Sequence, residues 1–140
     1  MKNELDLSEN NSTLGPPAPV LAAMRNRAGG SDAEFGFARA AERRDGVPHG
    51  WVLPANGTIE LIHDISRAFL EPGDRVAVFG PTFGEYRSAA EWNGASVTVV
   101  QAREEDGFRW DLPGAASVLS ALEPRLVFLC NPNNPTGIYL

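Results

Sequence analysis

Three short apolar runs, separated by stretches with helical periodicity, constrain the fold of this 140-residue chain more than any other feature. The runs occupy residues 75–79, 95–100 and 126–130, and the predicted helices between them occupy residues 84–92 and 111–122. Strands that alternate with helices are connected by right-handed crossovers and form a mainly parallel sheet. The sequence therefore predicts an α/β fold with helices flanking the sheet. The last run is continuously apolar, which predicts a strand covered on both faces.

The first half of the chain is predicted to be helical apart from an arm and one strand. Residues 1–16 are polar and lead into two consecutive prolines, a pattern that suits an extended arm. Periodicity predicts helices over residues 16–28, 33–45 and 58–70, and a short strand over residues 51–53. Apolar residues cover more than one stripe of the third helix, so we expect it to be buried on most sides.

Composition excludes several classes of function. The chain has 12 basic and 18 acidic residues and a net charge of −6, so we expect no binding to nucleic acid or to an anionic membrane. It has no apolar run near the roughly 20 residues of a membrane span, and its polar start lacks the features of a signal peptide. The expected location is therefore cytoplasmic. The single cysteine, Cys130, excludes an internal disulfide and a multi-cysteine metal site.

Ligands of open α/β sheets bind beyond the carboxyl ends of the strands, and two loops after predicted strands carry candidate residues. Asn56, Gly57 and Thr58 precede a helix, whose free backbone N–H groups and positive dipole end can hold a phosphate. The residues alone also allow an N-cap and turn without a ligand. Phe83 follows the strand over residues 75–79, where an aromatic ring could stack on a planar ligand.

A third loop, residues 131–137, reads Asn-Pro-Asn-Asn-Pro-Thr-Gly. Its two prolines and its glycine make a rigid turn. A plain turn does not require three asparagines, whose side chains both donate and accept hydrogen bonds. This composition favours a binding role for the loop.

In this order, the segments LPANGTIELI, FGPTFGEY and NPNNPTG resemble the first part of the large domain of fold-type-I pyridoxal-phosphate enzymes, the class I/II aminotransferases. Histidinol-phosphate aminotransferases and threonine-phosphate decarboxylases are the most similar groups. The resemblance covers nearly the whole chain. It implies an arm and short helix over residues 1–30 and a partial pyridoxal-phosphate-binding large domain, aspartate aminotransferase-like and incomplete, over residues 31–140.

The resemblance assigns pyridoxal 5'-phosphate as the cofactor and gives five residues a role in binding it. Asn56, Gly57 and Thr58 match the cradle of the cofactor phosphate. Phe83 matches the aromatic residue that stacks on the pyridine ring. Asn134 matches the asparagine that hydrogen-bonds the oxygen of the ring hydroxyl group.

Further expectations concern the substrate and the covalent chemistry. Asn10 and Gly15 fall where such enzymes approach the substrate, an amino acid or an amino-phosphate. In the family, the lysine that links covalently to the cofactor follows the NPTG loop, whereas the only lysine of this chain is Lys2. The chain therefore resembles an amino-terminal fragment that holds no catalytic residue, and we expect it to be inactive alone.

The resemblance favours a homodimeric aminotransferase of the histidinol-phosphate type, which transfers an amino group to a 2-oxo acid. Two alternatives stay open. One is a pyridoxal-phosphate-dependent threonine-phosphate decarboxylase, which would use the same cofactor for loss of carbon dioxide. The other is a fragment or binding module without catalytic activity.

Overall fold

The computed structural model describes residues 14–27 and 32–140. The described residues belong to two compact units, which meet in sequence between Pro54 and Ala55. The first unit contains the helices α1 (Ala18–Arg27) and α2 (Asp32–Asp45). The second unit alternates strands and helices in the order α3 (Gly57–Phe69), β1 (Arg75–Gly80), α4 (Glu85–Trp92), β2 (Ser96–Gln101), a 3-10 turn (Glu104–Asp106), α5 (Leu112–Leu122) and β3 (Leu126–Phe128).

The second unit contains a parallel sheet with the strand order β2-β1-β3. Val76 is opposite Val97 on one side and opposite Leu126 on the other. The parallel α/β fold predicted from the alternation is therefore confirmed. Because β3 lies beside β1, the loops that follow these two strands leave the sheet side by side.

Helices cover both faces of β1. Val76 and Val78 are buried against α3 and α4 in a cluster that also contains Phe128. Phe79 faces the opposite side, where its ring meets the edge of the Trp110 ring at a centroid distance of 5.7 Å. The indole Nε1 of buried Trp110 donates a hydrogen bond to the carbonyl of Gly80 at 3.1 Å. This bond ties the loop before α5 to the carboxyl end of β1.

In the first unit, a buried carboxylate organises the turn that follows α2. Glu42 accepts a hydrogen bond from the backbone N–H of Gly50 at 2.6 Å, and its other oxygen lies 3.0 Å from Nδ1 of His49. The hydrogen bond with His49 and the Gly50 amide hold the pKa of Glu42 below its ordinary value, against the opposing effect of burial. Within the described ranges, no helix is long and apolar enough to cross a membrane.

The prediction of a short strand over residues 51–53 is wrong. Within the part of the chain that the structure describes, no strand pairs with this segment. The backbone N–H of Trp51 instead donates to the carbonyl of Pro48 in a turn, and the side chains of Trp51 and Leu53 are exposed. An apolar run forms a strand only where a neighbouring strand accepts its backbone hydrogen bonds.

Two predictions of burial are also wrong. Helix α3 buries Ile62 and Ser66 but exposes Ile59, Ile65 and Phe69, because α4 and the sheet cover only one side of it. The strand predicted over residues 126–130 ends at Phe128, and Val127 is 41% exposed. The described elements therefore cover the face of β3 that carries Val127 only in part.

Candidate functional site

The loops that follow β1 and β3 are joined through one buried side chain, that of Asn133. Its Nδ2 donates to the carbonyl of Pro81 at 2.9 Å and to Oγ1 of Thr136 at 2.8 Å. Its Oδ1 accepts a hydrogen bond from the hydroxyl of Thr82 at 2.7 Å. Asn133 is only 3% exposed. The amide therefore satisfies both its donor and its acceptor groups and connects two loops that are far apart in sequence.

The backbone of Asn133 closes the second loop. Its N–H donates to the carbonyl of Ile138 at 2.7 Å, and its carbonyl accepts from the N–H of Gly137 at the same distance. Gly137 has φ of +71°, a conformation that L side chains rarely adopt. The next residue, Asn134, is exposed. The loop is thus anchored by Asn133 and presents Asn134 to solvent.

The loop after β1 is supported by an aromatic stack that begins in the core. The ring of Tyr86 is stacked on that of Phe128 at a centroid distance of 5.0 Å and an interplanar angle of 23°, and the ring of Phe83 meets Tyr86 edge-on at 5.9 Å. Burial, and after it the neighbouring Cys130 thiol, raises the pKa of Tyr86 to about 12. Tyr86 is therefore neutral near pH 7 and acts as apolar support for Phe83.

The start of α3 is exposed to solvent, although its first N–H, that of Gly57, donates to the carbonyl of Ala55. Asn56, Gly57 and Thr58 are all exposed, and Gly57 has φ of +79°. An added Cβ on Gly57 would meet no heavy atom of the described residues within 4 Å. The Glu60 carboxylate accepts the N–H of Asn56, and among the described residues the Asn56 side chain makes no capping hydrogen bond. As far as the described residues extend, open space therefore adjoins the positive end of this 13-residue helix.

A polar contact connects α3 to α4 near the loop that carries Phe83. Nε2 of His63 lies 3.3 Å from a carboxylate oxygen of Glu85, the first residue of α4. The exposed ring of Trp92 lies over His63 at a centroid distance of 5.3 Å. The helix that starts at Gly57 is thus held against the helix that follows Phe83.

The structure places the sequence-predicted residues as follows. It brings the loops of Phe83 and Asn134 together, and it puts Asn56, Gly57 and Thr58 at the start of α3 in the same unit. Gly15 belongs to the first unit, where it is exposed with φ of +66°, and Asn10 lies outside the described residues.

Sequence reasoning missed the two residues that connect the loops, Thr82 and Asn133. The presence of three asparagines in the NPNNPTG segment, more than a plain turn requires, was the one signal that pointed to Asn133. Nothing in the spacing of the sequence indicated that Thr82 would be its partner.

The model of the family called aminotransferase class I and II matches residues 2–140. The chain belongs to this family. Aminotransferases of class I and II are pyridoxal-phosphate-dependent enzymes, and the resemblance drawn from the three loop motifs is confirmed at the level of the family.

Individual members of the class I and II aminotransferase family are similar over most of the chain. The histidinol-phosphate aminotransferase of Symbiobacterium thermophilum is 40% identical over 136 residues, which cover 94% of this chain and 37% of that protein. The threonine-phosphate decarboxylase of Salmonella typhimurium is 37% identical over 141 residues, covering 96% of this chain and 37% of that protein. The chain therefore spans about a third of the length of these relatives.

A solved structure of the class I and II aminotransferase family has the same fold. The histidinol-phosphate aminotransferase of Sinorhizobium meliloti, determined in complex with pyridoxal 5'-phosphate, superimposes with a TM-score of 0.78. It is 25% identical, and the match covers 90% of this chain and 35% of that one. The prediction of an aspartate aminotransferase-like α/β fold is confirmed.

Proposed function

We propose that this chain forms the pyridoxal-phosphate-binding part of an aminotransferase of the histidinol-phosphate type, which transfers an amino group from its substrate to a 2-oxo acid. The observation that carries the proposal is the pair of loops at the carboxyl ends of β1 and β3, joined through Asn133. This is the edge of a parallel sheet at which ligands bind. The identity with histidinol-phosphate aminotransferases supports the type of substrate.

The residues at the start of α3 fit a phosphate group. Gly57 leaves open space at the start of the helix, although its own N–H donates to the carbonyl of Ala55. The N–H and hydroxyl of Thr58 and the side-chain amide of Asn56 can donate hydrogen bonds into this space. The dipole of α3 favours an anion at this end. Glu60 contributes a negative charge nearby, but its carboxylate accepts the N–H of Asn56. We therefore assign the cofactor phosphate to Asn56, Gly57 and Thr58.

The two joined loops fit the ring of the cofactor. Phe83 is half-buried and held from behind by Tyr86, so its position is fixed while part of its ring stays accessible. The exposed amide of Asn134 can donate a hydrogen bond to the oxygen of the ring hydroxyl group. When bound, pyridoxal phosphate supplies an electron sink for reactions at the carbon that carries the amino group. In this proposal the residues of the chain bind and orient that group.

Three expectations remain part of the proposal. Asn10 and Gly15 contact the substrate, the enzyme works as a homodimer, and its location is cytoplasmic.

A second candidate function is the decarboxylation of threonine phosphate. The 37% identity with a threonine-phosphate decarboxylase supports it, since this value is close to the identity with histidinol-phosphate aminotransferases. Both candidates use the same cofactor, and the described loops would hold it in the same way. The candidates differ in which bond of the substrate is broken.

A substrate assay separates the two candidates. The protein that carries this chain is incubated with pyridoxal phosphate, a 2-oxo acid and either histidinol phosphate or threonine phosphate. We expect the 2-oxo acid to become an amino acid only with histidinol phosphate. Release of carbon dioxide from threonine phosphate would instead establish the decarboxylase, and activity with neither substrate would support a binding module.

A spectrophotometric pH titration of three variants of the protein that carries this chain, with pyridoxal phosphate bound, tests the binding residues. Thr58→Ala removes one hydroxyl beside several backbone donors and should cost roughly 1 kcal/mol of cofactor affinity. Phe83→Ala should reduce cofactor affinity by on the order of 1 kcal/mol more than the loss of buried apolar area accounts for. The pH dependence of the spectrum should not change. Asn134→Ala should shift both the absorbance of the bound cofactor and its pH dependence. A wild-type titration curve for Asn134→Ala would contradict the assignment.

A further inference from the structure

The side chain of Asn133 makes more connections than the closure of one turn requires. The backbone bonds of Asn133 with Gly137 and Ile138 already close the loop after β3. The side chain adds one bond within that loop, to Thr136, and two bonds to the loop after β1. The bonds to Pro81 and Thr82 cross between loops separated by about 50 residues of sequence.

These crossing bonds act next to residues that the proposed function uses. Thr82 immediately precedes Phe83, and Asn133 immediately precedes Asn134. Each partner is thus one residue away from a group assigned to the cofactor ring. Because the buried amide has all its hydrogen bonds satisfied, any sliding of one loop past the other leaves a buried polar group without a partner. The bridge therefore resists relative motion of the two loops.

We propose that Asn133 is a positioning residue, which with Thr82 fixes the distance between the ring of Phe83 and the amide of Asn134. This inference rests on the proposed function, in which those two groups hold the cofactor ring. Asn133 does not contact the ring in this assignment; it sets the spacing of the residues that do. A merely structural asparagine would stabilise the fold without this effect on ligand affinity.

The test uses pyridoxine 5'-phosphate, which lacks the aldehyde and therefore binds without a covalent link to lysine. Its affinity for the cofactor-free protein that carries this chain is measured by calorimetry for Thr82→Val, Asn133→Ala and the double variant. Removal of one hydrogen bond typically corresponds to roughly five-fold in an equilibrium constant. We expect a loss of about five-fold for Thr82→Val and about twenty-fold for Asn133→Ala. The double variant should match Asn133→Ala, because the partner of Thr82 is then already absent.

Matched variants separate positioning from stability. Asn93→Ala removes an amide that donates to the carbonyl of Ala89 at 2.7 Å at the end of α4, and Thr98→Val removes a hydroxyl in the middle of β2, opposite Ala77. Both should bind pyridoxine 5'-phosphate as the unaltered chain does, even where urea unfolding shows a loss of stability. Thr82→Ser retains the hydroxyl and should retain the affinity within two-fold.

Hydrogen exchange of the unliganded chain provides a second measurement. Asn133→Ala should accelerate amide exchange in both peptides that carry the loops, residues 80–86 and 131–138, whereas Asn93→Ala should accelerate neither. Acceleration confined to residues 131–138, or affinity losses that multiply in the double variant, would overturn the proposal. If the unaltered protein that carries this chain fails to bind pyridoxine 5'-phosphate, the proposed function fails. The exchange data then still decide whether Asn133 couples the loops.

Discussion

Gly57→Ala tests the phosphate cradle because the structure separates its effect on stability from its effect on binding. Gly57 has φ of +79°, and an added Cβ meets no heavy atom of the described residues within 4 Å. The cost to stability therefore comes from the backbone conformation alone, about 1–2 kcal/mol for a residue with a side chain. The added methyl group, however, occupies the open space that we assign to the phosphate.

Gly73→Ala is the matched control for this experiment. Gly73 has φ of +94° and equally open space around its missing side chain. It precedes β1 and therefore lies at the end of that strand opposite to the loop that carries Phe83. Urea unfolding should show similar losses for both variants. Gly94→Ala calibrates a steric effect, since its Cβ would lie 3.1 Å from Cα and Cβ of Pro72, and it should lose more stability than either.

The binding assay then distinguishes the two positions. Calorimetry with pyridoxine 5'-phosphate should show at least a ten-fold loss of affinity for Gly57→Ala, which corresponds to about 1.4 kcal/mol. Gly73→Ala should bind within two-fold of the unaltered chain. Equal affinities for the two variants, at equal losses of stability, would refute the placement of the phosphate at the start of α3.

Three further predictions concern stability. Trp110→Phe should lower the free energy of unfolding, measured in urea, by about 1 kcal/mol, because the carbonyl of Gly80 loses the indole donor but still accepts the N–H of Ala102. A decrease above about 3 kcal/mol would contradict this account. Phe128→Ala should lower the free energy of unfolding by about 3–5 kcal/mol in the same assay, since it removes a buried ring stacked on Tyr86. A decrease below about 1 kcal/mol would refute the placement of Phe128 in the core. Because the pKa of Glu42 is lowered, its contribution to stability is present above its ordinary value of 4.5 and is lost as the pH falls through the lowered pKa. We measure the free energy of unfolding of the Glu42→Gln variant between pH 3 and pH 6. The decrease in stability at low pH that comes from Glu42 should be absent, and a pH dependence equal to that of the unaltered chain would count against the role of this carboxylate.

The predicted elements agree with the structure to within one or two residues wherever an apolar strand alternates with a helix. The helix predicted over residues 58–70 is α3, Gly57–Phe69, and the strand predicted over residues 75–79 is β1, Arg75–Gly80. Periodicity and turn residues are local properties, and they are sufficient to define such elements. They also predict the parallel sheet, and with it the edge at which the loops lie.

Burial and side-chain partners depend on what lies across space, and there the sequence was less informative. The apolar residues of α3 predicted a helix buried on most sides, but Ile59 and Phe69 are exposed. A sequence pattern indicates which helix surfaces are apolar and does not indicate whether another element packs against them. The motif NPNNPTG identified a binding loop without indicating which asparagine reaches into the loop after β1. That choice depends on the placement of Pro81 and Thr82, about 50 residues earlier in the chain.

The strand order β2-β1-β3 has a consequence for the order in which the molecule folds. Contacts between the start of β1 and the start of β2 join residues 22 apart in sequence, as in Ser96 and Asp74, whereas Thr82 and Asn133 are 51 apart. Closing the longer loop costs about 0.7 kcal/mol more chain entropy, and contacts of large sequence separation form slowly. The β1-α4-β2 unit should therefore assemble first. The bridge between the two ligand-binding loops would then be completed late, after the rest of the sheet is in place.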